Sequence, residues 1–308
     1  VAVRIGTADA AVDMTSISSS GAASTTFTVF QTISNFTGTL AATTSVATGQ
    51  TLTLAAAKAT GKTITGASGG SGSVVVTALD QTLDADVSNV TADTGNSGSV
   101  TGTFLTSGTF TGDFGTAGMT VSISDGATMT VAANLVDGAS GPTLQKVGSG
   151  SGAVAVRIGT ADAAVDMTSI SSSGAASTTF TVFENTTFTG TLASVATGVA
   201  NGVTLTLAAA KAAGKTITGT GSGSVNVTAL DATLSADLSN VTVAAGGTLT
   251  GTFTASQEFA GNFGTAGMTV SISDGATMTV AANLVDGSDG PTLQKDGGGG
   301  TGIVAVRI

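Results

Sequence analysis

Four aspartates recur at matched points of the chain, Asp13, Asp86, Asp166 and Asp237, and each opens a triplet Asp-apolar-Ser/Thr. Carboxylates at turns, beside backbone carbonyls, are the oxygen ligands that a hard cation such as calcium takes. Calcium needs roughly six to eight such oxygens together. Asp84 makes an Asp-x-Asp pair with Asp86, but Ser235 stands at its counterpart. The glycine-rich nonapeptide that holds calcium in secreted β-rolls is absent. A short Asp side chain ahead of Ser or Thr also caps local backbone amides. Capping is the simpler reading of all four, and calcium remains its competitor.

Other chemistry-bearing residues are sparse. The only arginines, Arg4, Arg157 and Arg307, share one repeat position. In an alternating strand each faces away from Val1, Val3 and Ile5 or their equivalents. Its head group then pairs with an acid on a neighbouring rung or filament, or stays solvated and keeps strand edges apart. Carbohydrate-cleaving β-helices need clustered carboxylates with Arg, Lys or His. Here there are two glutamates, Glu184 and Glu258, neither recurs, and there is no His. Asn89 with Asn240, and Asn134 with Asn283, recur and read as backbone-satisfying ladders inside the fold.

Thr-x-Thr triplets begin at Thr26, Thr51, Thr63 and Thr128 in the first half, and at Thr204, Thr216 and Thr277 in the second. Flat ranks of such triplets are the pattern of ice-binding surfaces, which need one constant coil length. The steps from Thr26 to Thr51, Thr63 and Thr128 are 25, 12 and 65 residues, which argues against alignment. Thr also suits the exposed face of any strand. No catalytic, cofactor-binding or metal residue is assigned, no cofactor is expected, and the chain reads as non-enzymatic.

The elements that carry these residues follow from repetition. Val1-Ala2-Val3-Arg4-Ile5 returns at Val154 to Ile158 and at Val304 to Ile308. Val1 to Phe30 is identical to Val154 to Phe183, and Phe114 to Gly138 to Phe263 to Gly287. The units are 1–153, with halves of about 1–72 and 73–153, and 154–303, with halves of about 154–223 and 224–303; 304–308 starts a third. The chain has no initial Met and starts within the pattern, so we expect it to be part of a longer polypeptide.

Apolar residues alternate in short runs such as Thr-Leu-Thr-Leu (51–54) and Val-Ser-Ile-Ser (121–124), the signature of strands. Asp274-Gly275 marks a tight turn. Ala208 to Ala213, closed by Gly214, fits one or two helical turns with a left-handed glycine cap. Two architectures fit: a parallel β-solenoid with about three coils per half-unit, or tandem β-sandwich domains. The solenoid is favoured because Trp and Tyr are missing, because Ala, Val, Thr, Ser and Gly suit narrow stacked coils, and because only brief Gly-rich loops (148–152 and 297–302) join the copies.

Residues 204–219 (Thr-Leu-Thr-Leu-Ala-Ala-Ala-Lys-Ala-Ala-Gly-Lys-Thr-Ile-Thr-Gly) and 227–241 resemble the tandem repeats of giant, adhesin-like, secreted bacterial surface proteins. The resemblance covers essentially the whole chain and transfers no catalytic residue. It implies a β-rich stalk or fibre, extracellular or on the cell surface. Net charge −10 argues against nucleic acid and anionic membrane. No apolar run reaches the roughly 18 residues of a membrane helix. The expected function is a structural segment of an extracellular fibre, stalk or sheath of a bacterium. Its partners are neighbouring copies, head to tail, with lateral association into a fibre. The alternatives are an adhesin module that binds glycan, calcium or ice, and a filament assembled non-covalently by strand exchange.

Overall fold

The computed structural model describes all residues except 18–24, 68, 94–96, 116–117, 139–140, 149, 171, 174–176, 265–266, 288–289 and 298–299; Ser172 and Ser173 are described by backbone alone. The Gly-rich joining loops 148–152 and 297–302 therefore lie partly outside the described residues. Two compact units form: Val1–Ala155 with Ser169–Thr178, and Val156–Thr168 with Thr179–Ile308.

Alternation dictates the strands. In Thr51–Ala55 and Ser73–Thr77 every second residue is inward, so that Leu52, Leu54, Val74 and Val76 are fully buried while the residues between them stay half-buried. Each such apolar side chain contributes about 1.5–3 kcal/mol by leaving water. Backbone groups of a narrow coil are then satisfied only by the coils on either side, which makes the sheets parallel. In the first unit one sheet runs Ala2–Ile5, Thr26–Val29, Thr43–Val46, Thr63–Gly66, Val90–Thr91. A second runs Ile33–Phe36, Thr51–Ala55, Ser73–Thr77, Val100–Phe104, Thr120–Ile123, Thr143–Lys146, Ser172–Ser173. Gly108–Phe110 pairs with Thr128–Ala132 on a further sheet.

The second unit repeats the plan. One sheet holds Ser177–Val182, Thr197–Val199, Ile217–Gly219 and Val241–Val243; another holds Thr186–Phe188, Thr204–Ala208, Ser224–Thr228, Leu249–Phe253, Thr269–Ile272 and Thr292–Lys295; a third holds Gln257–Phe259, Thr277–Ala281 and Ile303–Arg307. Apart from Ala2–Ile5 and Thr26–Val29, which pair with each other, described strands consecutive in the chain go to different sheets, and every registered pairing between strands is parallel. The architecture is all-β and solenoid-like. Asp274-Gly275, with Gly275 at φ +73°, turns a corner between two sheets rather than closing a hairpin.

The half-unit adds half a coil to the expected figure of about three. Among the described residues seven strands lie from Ala153–Ile158 to Ile217–Gly219, and seven more from Ser224–Thr228 to Thr292–Lys295. Each coil supplies two strands, so seven strands make three and a half coils. Matched strands of successive half-units therefore fall on different sheets: Thr204–Ala208 lies beside Ser224–Thr228, whereas its counterpart Thr277–Ala281 lies beside Ile303–Arg307. Coil length varies while strand register is kept. Thr28 opposes Ser45 and Ile64 opposes Val90, steps of 17 and 26 residues.

The Ala-rich pieces are single helical turns, Ala56–Ala59 and Ala209–Ala212, followed by Gly61 and Gly214 at φ +67° and +68°. Inside, Phe110 stacks on Phe114 and Phe259 on Phe263, with centroids 4.2 and 4.4 Å apart. Among the described residues no helix is long and apolar enough to cross a membrane.

Candidate functional site: the aspartate corners

Each recurrent aspartate sits at a corner where one coil meets the next. Isolated parallel bridges join Asp13 to Thr39, Asp86 to Asp113, Asp166 to Thr191 and Asp237 to Asn262. Their bonds repeat closely: Val87 N–H donates to the Asp113 carbonyl (2.8 Å) and Asp113 N–H to that of Ala85 (3.0 Å). Leu238 and Asn262 N–H make the same pair with Asn262 and Ala236 (2.7 and 2.9 Å).

The carboxylates cap locally. Asp13, Asp86 and Asp166 Oδ1 accept from the backbone N–H two residues on (3.0 Å each) and from the hydroxyl of the same Thr15, Ser88 or Thr168 (2.6 Å each). Asp237 Oδ1 accepts from Ser239 N–H at 3.1 Å. The hydroxyl first and the amide second hold all four carboxyls below the usual carboxylate range.

The corner at Asp86 is the most acidic. Asp84, Asp86, Asp113 and Asp137 with Asn134 line an open cleft of about 720 Å³. At the matching positions of the second unit stand Ser235, Asp237, Asn262, Asp286 and Asn283. In the cleft Asp113 Oδ1 accepts from Gly115 N–H (2.7 Å) and Asp137 Oδ1 from Ser169 Oγ (2.6 Å). Several of these oxygens are thus engaged in hydrogen bonds with the protein. Among the described residues no group of three or more His, Cys, Asp or Glu side chains is placed to hold a metal ion.

Glycines that the sequence reading passed over decide these corners. Gly38, Gly112, Gly190 and Gly261 precede the bridge partners, and a Cβ on any of them would lie 2.1, 2.1, 2.0 or 2.2 Å from the carbonyl oxygen of Val12, Ala85, Val165 or Ala236. Only a residue without a side chain lets the two coils approach there. The signal is legible in hindsight as Phe-x-Gly followed by a polar and an apolar residue: Phe36-Thr-Gly-Thr-Leu40, Phe110-Thr-Gly-Asp-Phe114, Phe188-Thr-Gly-Thr-Leu192 and Phe259-Ala-Gly-Asn-Phe263.

The other candidates are dispersed. Arg4 and Arg157 are exposed, as the solvated alternative has it, and their guanidinium groups lie over the rings of Phe30 and Phe183, 4.2 and 3.9 Å from the centroids. Arg307 instead pairs with Glu258 in an exposed ion pair. Glu184 accepts from Thr160 N–H at 3.2 Å. The Asn pairs do not form interior ladders: Asn89, Asn240, Asn134 and Asn283 are exposed. They occupy corners, where the Asn89 and Asn240 carbonyls accept from Ile64 and Ile217 N–H (3.0 Å each) and Asn89 Nδ2 donates to Ser88 Oγ (3.3 Å).

The Thr-x-Thr triplets of the first half are divided among three sheets. Thr51–Ala55 lies on a different sheet from Thr26–Val29 and Thr63–Gly66, and Thr128–Ala132 on another. Unequal coils nonetheless stack in register, giving rows such as Thr53, Val75, Thr101, Thr120, Thr143 and Thr206, Asn226, Thr250, Thr269, Thr292. Constant coil length is not required, because length variation is absorbed in the turns.

Comparison of the chain with protein-family models, with curated proteins and with solved structures gives no match.

Proposed function

We propose that the chain is a structural segment of a long repetitive fibre, stalk or sheath outside a bacterial cell, in which repeat number sets length. One observation carries this reading. Within a unit each strand lies parallel between the strands of the coil before and the coil after it: Thr204–Ala208 sits between Thr186–Phe188 and Ser224–Thr228, and its Leu205 and Leu207 are 0% and 1% exposed. Coils of this kind are finished by their neighbours, the property of an array whose units stabilise one another. The adhesin-like resemblance of residues 204–219 points to the same extracellular setting. Chains carrying two, four and eight long units are expected to melt at successively higher temperature. Equal melting of all three would sink the proposal.

A second reading is favoured by the hydroxyl rows. Rungs spaced about 4.8 Å apart present Thr and Ser in register on a sheet face, a surface suited to adhesion to ice or glycan. Ice crystals shaped by the chain on a cold stage would support it; unmodified growth would remove it.

A further inference from the structure

We infer that Asn89 and Asn240 are acceptors of an N-linked sugar, one in each long unit, presented at the tips of matched turns. The inference deepens the extracellular reading above and rests on it. The triplet Asn-x-Thr, whose amide nitrogen takes the sugar while the transferring enzyme reads the Thr hydroxyl, occurs at Asn35, Asn89, Asn185, Asn226 and Asn240. A chain this rich in Thr produces such triplets by composition alone, so position in the fold decides among them.

Two of the five stand on one repeated element. Asp86-Val87-Ser88-Asn89-Val90-Thr91 matches Asp237-Leu238-Ser239-Asn240-Val241-Thr242. In each, the aspartate accepts from the serine N–H (3.0 and 3.1 Å), and a four-residue turn closes where Val90 N–H donates to the Val87 carbonyl (3.0 Å) or Val241 N–H to that of Leu238 (2.9 Å). The asparagine is the third residue of that turn and is exposed in both units. Val90 and Val241 are fully buried, so the Asn and Thr on either side of them face outward together, Thr242 exposed and Thr91 half-buried. Among the described residues the Asn89 side chain makes one long hydrogen bond, from Nδ2 to Ser88 Oγ (3.3 Å), and the Asn240 side chain makes none. At the matched corners of the other half-units Ser16 and Ser169 stand in place of the asparagine, which sets the decoration at one per long unit.

The other three triplets belong to sheets or are bound to one. Asn35 lies within Ile33–Phe36, and Asn226 within Ser224–Thr228, a strand paired on both sides, where Asn226 Oδ1 accepts from Thr250 Oγ1 (3.1 Å). Asn185 Oδ1 accepts from Thr204 N–H (2.8 Å). A transferase must draw the acceptor into its own site. A turn tip yields by breaking few backbone bonds, whereas a strand held between two others does not.

In the transfer the Asn Nδ2 attacks C1 of a sugar carried on a diphosphate. The C1–N bond forms as the C1–O bond breaks, the diphosphate leaves with the bonding pair, and the amide gives one proton to a base of the transferase. The donor is a nucleoside diphosphate sugar or a polyprenyl diphosphate glycan, and the added mass tells them apart: sugars added singly give a series, a preassembled glycan one constant increment. The protein recovered from the cells that make it, proteolysed and read by mass spectrometry, is expected to carry sugar on the peptides containing Asn89 and Asn240 and none on that containing Asn226. Thr91→Val and Thr242→Val are expected to abolish sugar on the Asn two residues before, and Thr91→Ser and Thr242→Ser to keep it, because a serine hydroxyl completes the same triplet. A bare peptide at Asn89 or Asn240, equal occupancy at Asn226, or sugar that survives the valine substitutions would overturn the inference. Each of these results leaves the melting series of two, four and eight units to judge the fibre reading separately.

Discussion

The corner at Asp86 in the first unit and its match at Asp237 in the second have one backbone geometry and two charge patterns. Both carry a parallel bridge, a capped Asp and a glycine whose absent side chain leaves a neighbouring carbonyl about 2 Å from where a Cβ would sit. The first opposes Asp86 to Asp113 and adds Asp84; the second opposes Asp237 to Asn262 and has Ser235. What is constant across them is steric and local, and what varies is charge. The corner is therefore held by close approach and capping, and its acidity is an addition.

The largest test of that view is to fill the close approach. Gly112→Val and Gly261→Val each place atoms against backbone, which cannot rotate away, and each is expected to cost about 3 kcal/mol in chemical denaturation. Equal losses sharpen the comparison. Tolerance at Gly112 with loss at Gly261 would break it, and would show that the two corners do not share one support.

An inward glycine within a strand gives a milder version. A Cβ on Gly102 would meet Leu79 Cδ1 at 2.6 Å and Met119 Sδ at 3.1 Å, and one on Gly251 would meet Leu230 Cδ1 at 2.7 Å and Met268 Sδ at 3.1 Å. These neighbours are ends of flexible side chains, so Gly102→Ala and Gly251→Ala are expected to cost only about 1 kcal/mol each. Losses as large as those at the corners would mean that the coil interior, and not the corner, is the stiffer part.

Much of this was legible in the residues. Period-two alternation in Thr-Leu-Thr-Leu and Val-Ser-Ile-Ser placed strands, and Gly214 after an Ala run placed a single helical turn, because both signals are local. The capping role of Asp13, Asp86, Asp166 and Asp237 was also local, since the acceptor and donor are two residues apart. The glycines at 38, 112, 190 and 261 were missed because their constraint comes from a carbonyl about 25 residues earlier, which no short window contains. The half coil beyond three escaped the sequence for a related reason. Turns of differing length hide strands as short as Val90–Thr91, and the odd number of strands per half-unit emerges only from pairing. Arg4 and Phe30 show the same limit: the position of Arg4 left an acidic partner and solvent as alternatives, and an aromatic ring one coil away supplies the contact.

Acid should act on both corners alike. The folded carboxyls of Asp86 and Asp237 lie below their usual range because Ser88 and Ser239 donate to the ionised form. A depressed folded value means that this stabilisation is present above the unfolded value of about 3.9 and is lost as pH falls through the lower folded value. Circular dichroism followed from pH 6 downwards, through about pH 4, should show stability falling on the acid side only. Asp86→Asn and Asp237→Asn should each flatten that limb. A variant whose acid limb is unchanged would show that its carboxylate is not a stabilising cap.

The smallest effect isolates charge alone. Asp113→Asn gives the first corner the residue that Asn262 gives the second, and keeps an acceptor for the Gly115 N–H that Asp113 Oδ1 now takes. Like charges opposed on adjacent strands are unfavourable, and at an exposed site the relief is at most about 0.5 kcal/mol. Screening should shrink the gain as salt rises toward 1 M, where the Debye length is about 3 Å. Asn262→Asp should do the reverse in the second unit. If Asp113→Asn destabilised the chain at low and high salt alike, the carboxylate would be contributing through its hydrogen bond rather than through charge. The two corners would then differ in support and not merely in decoration.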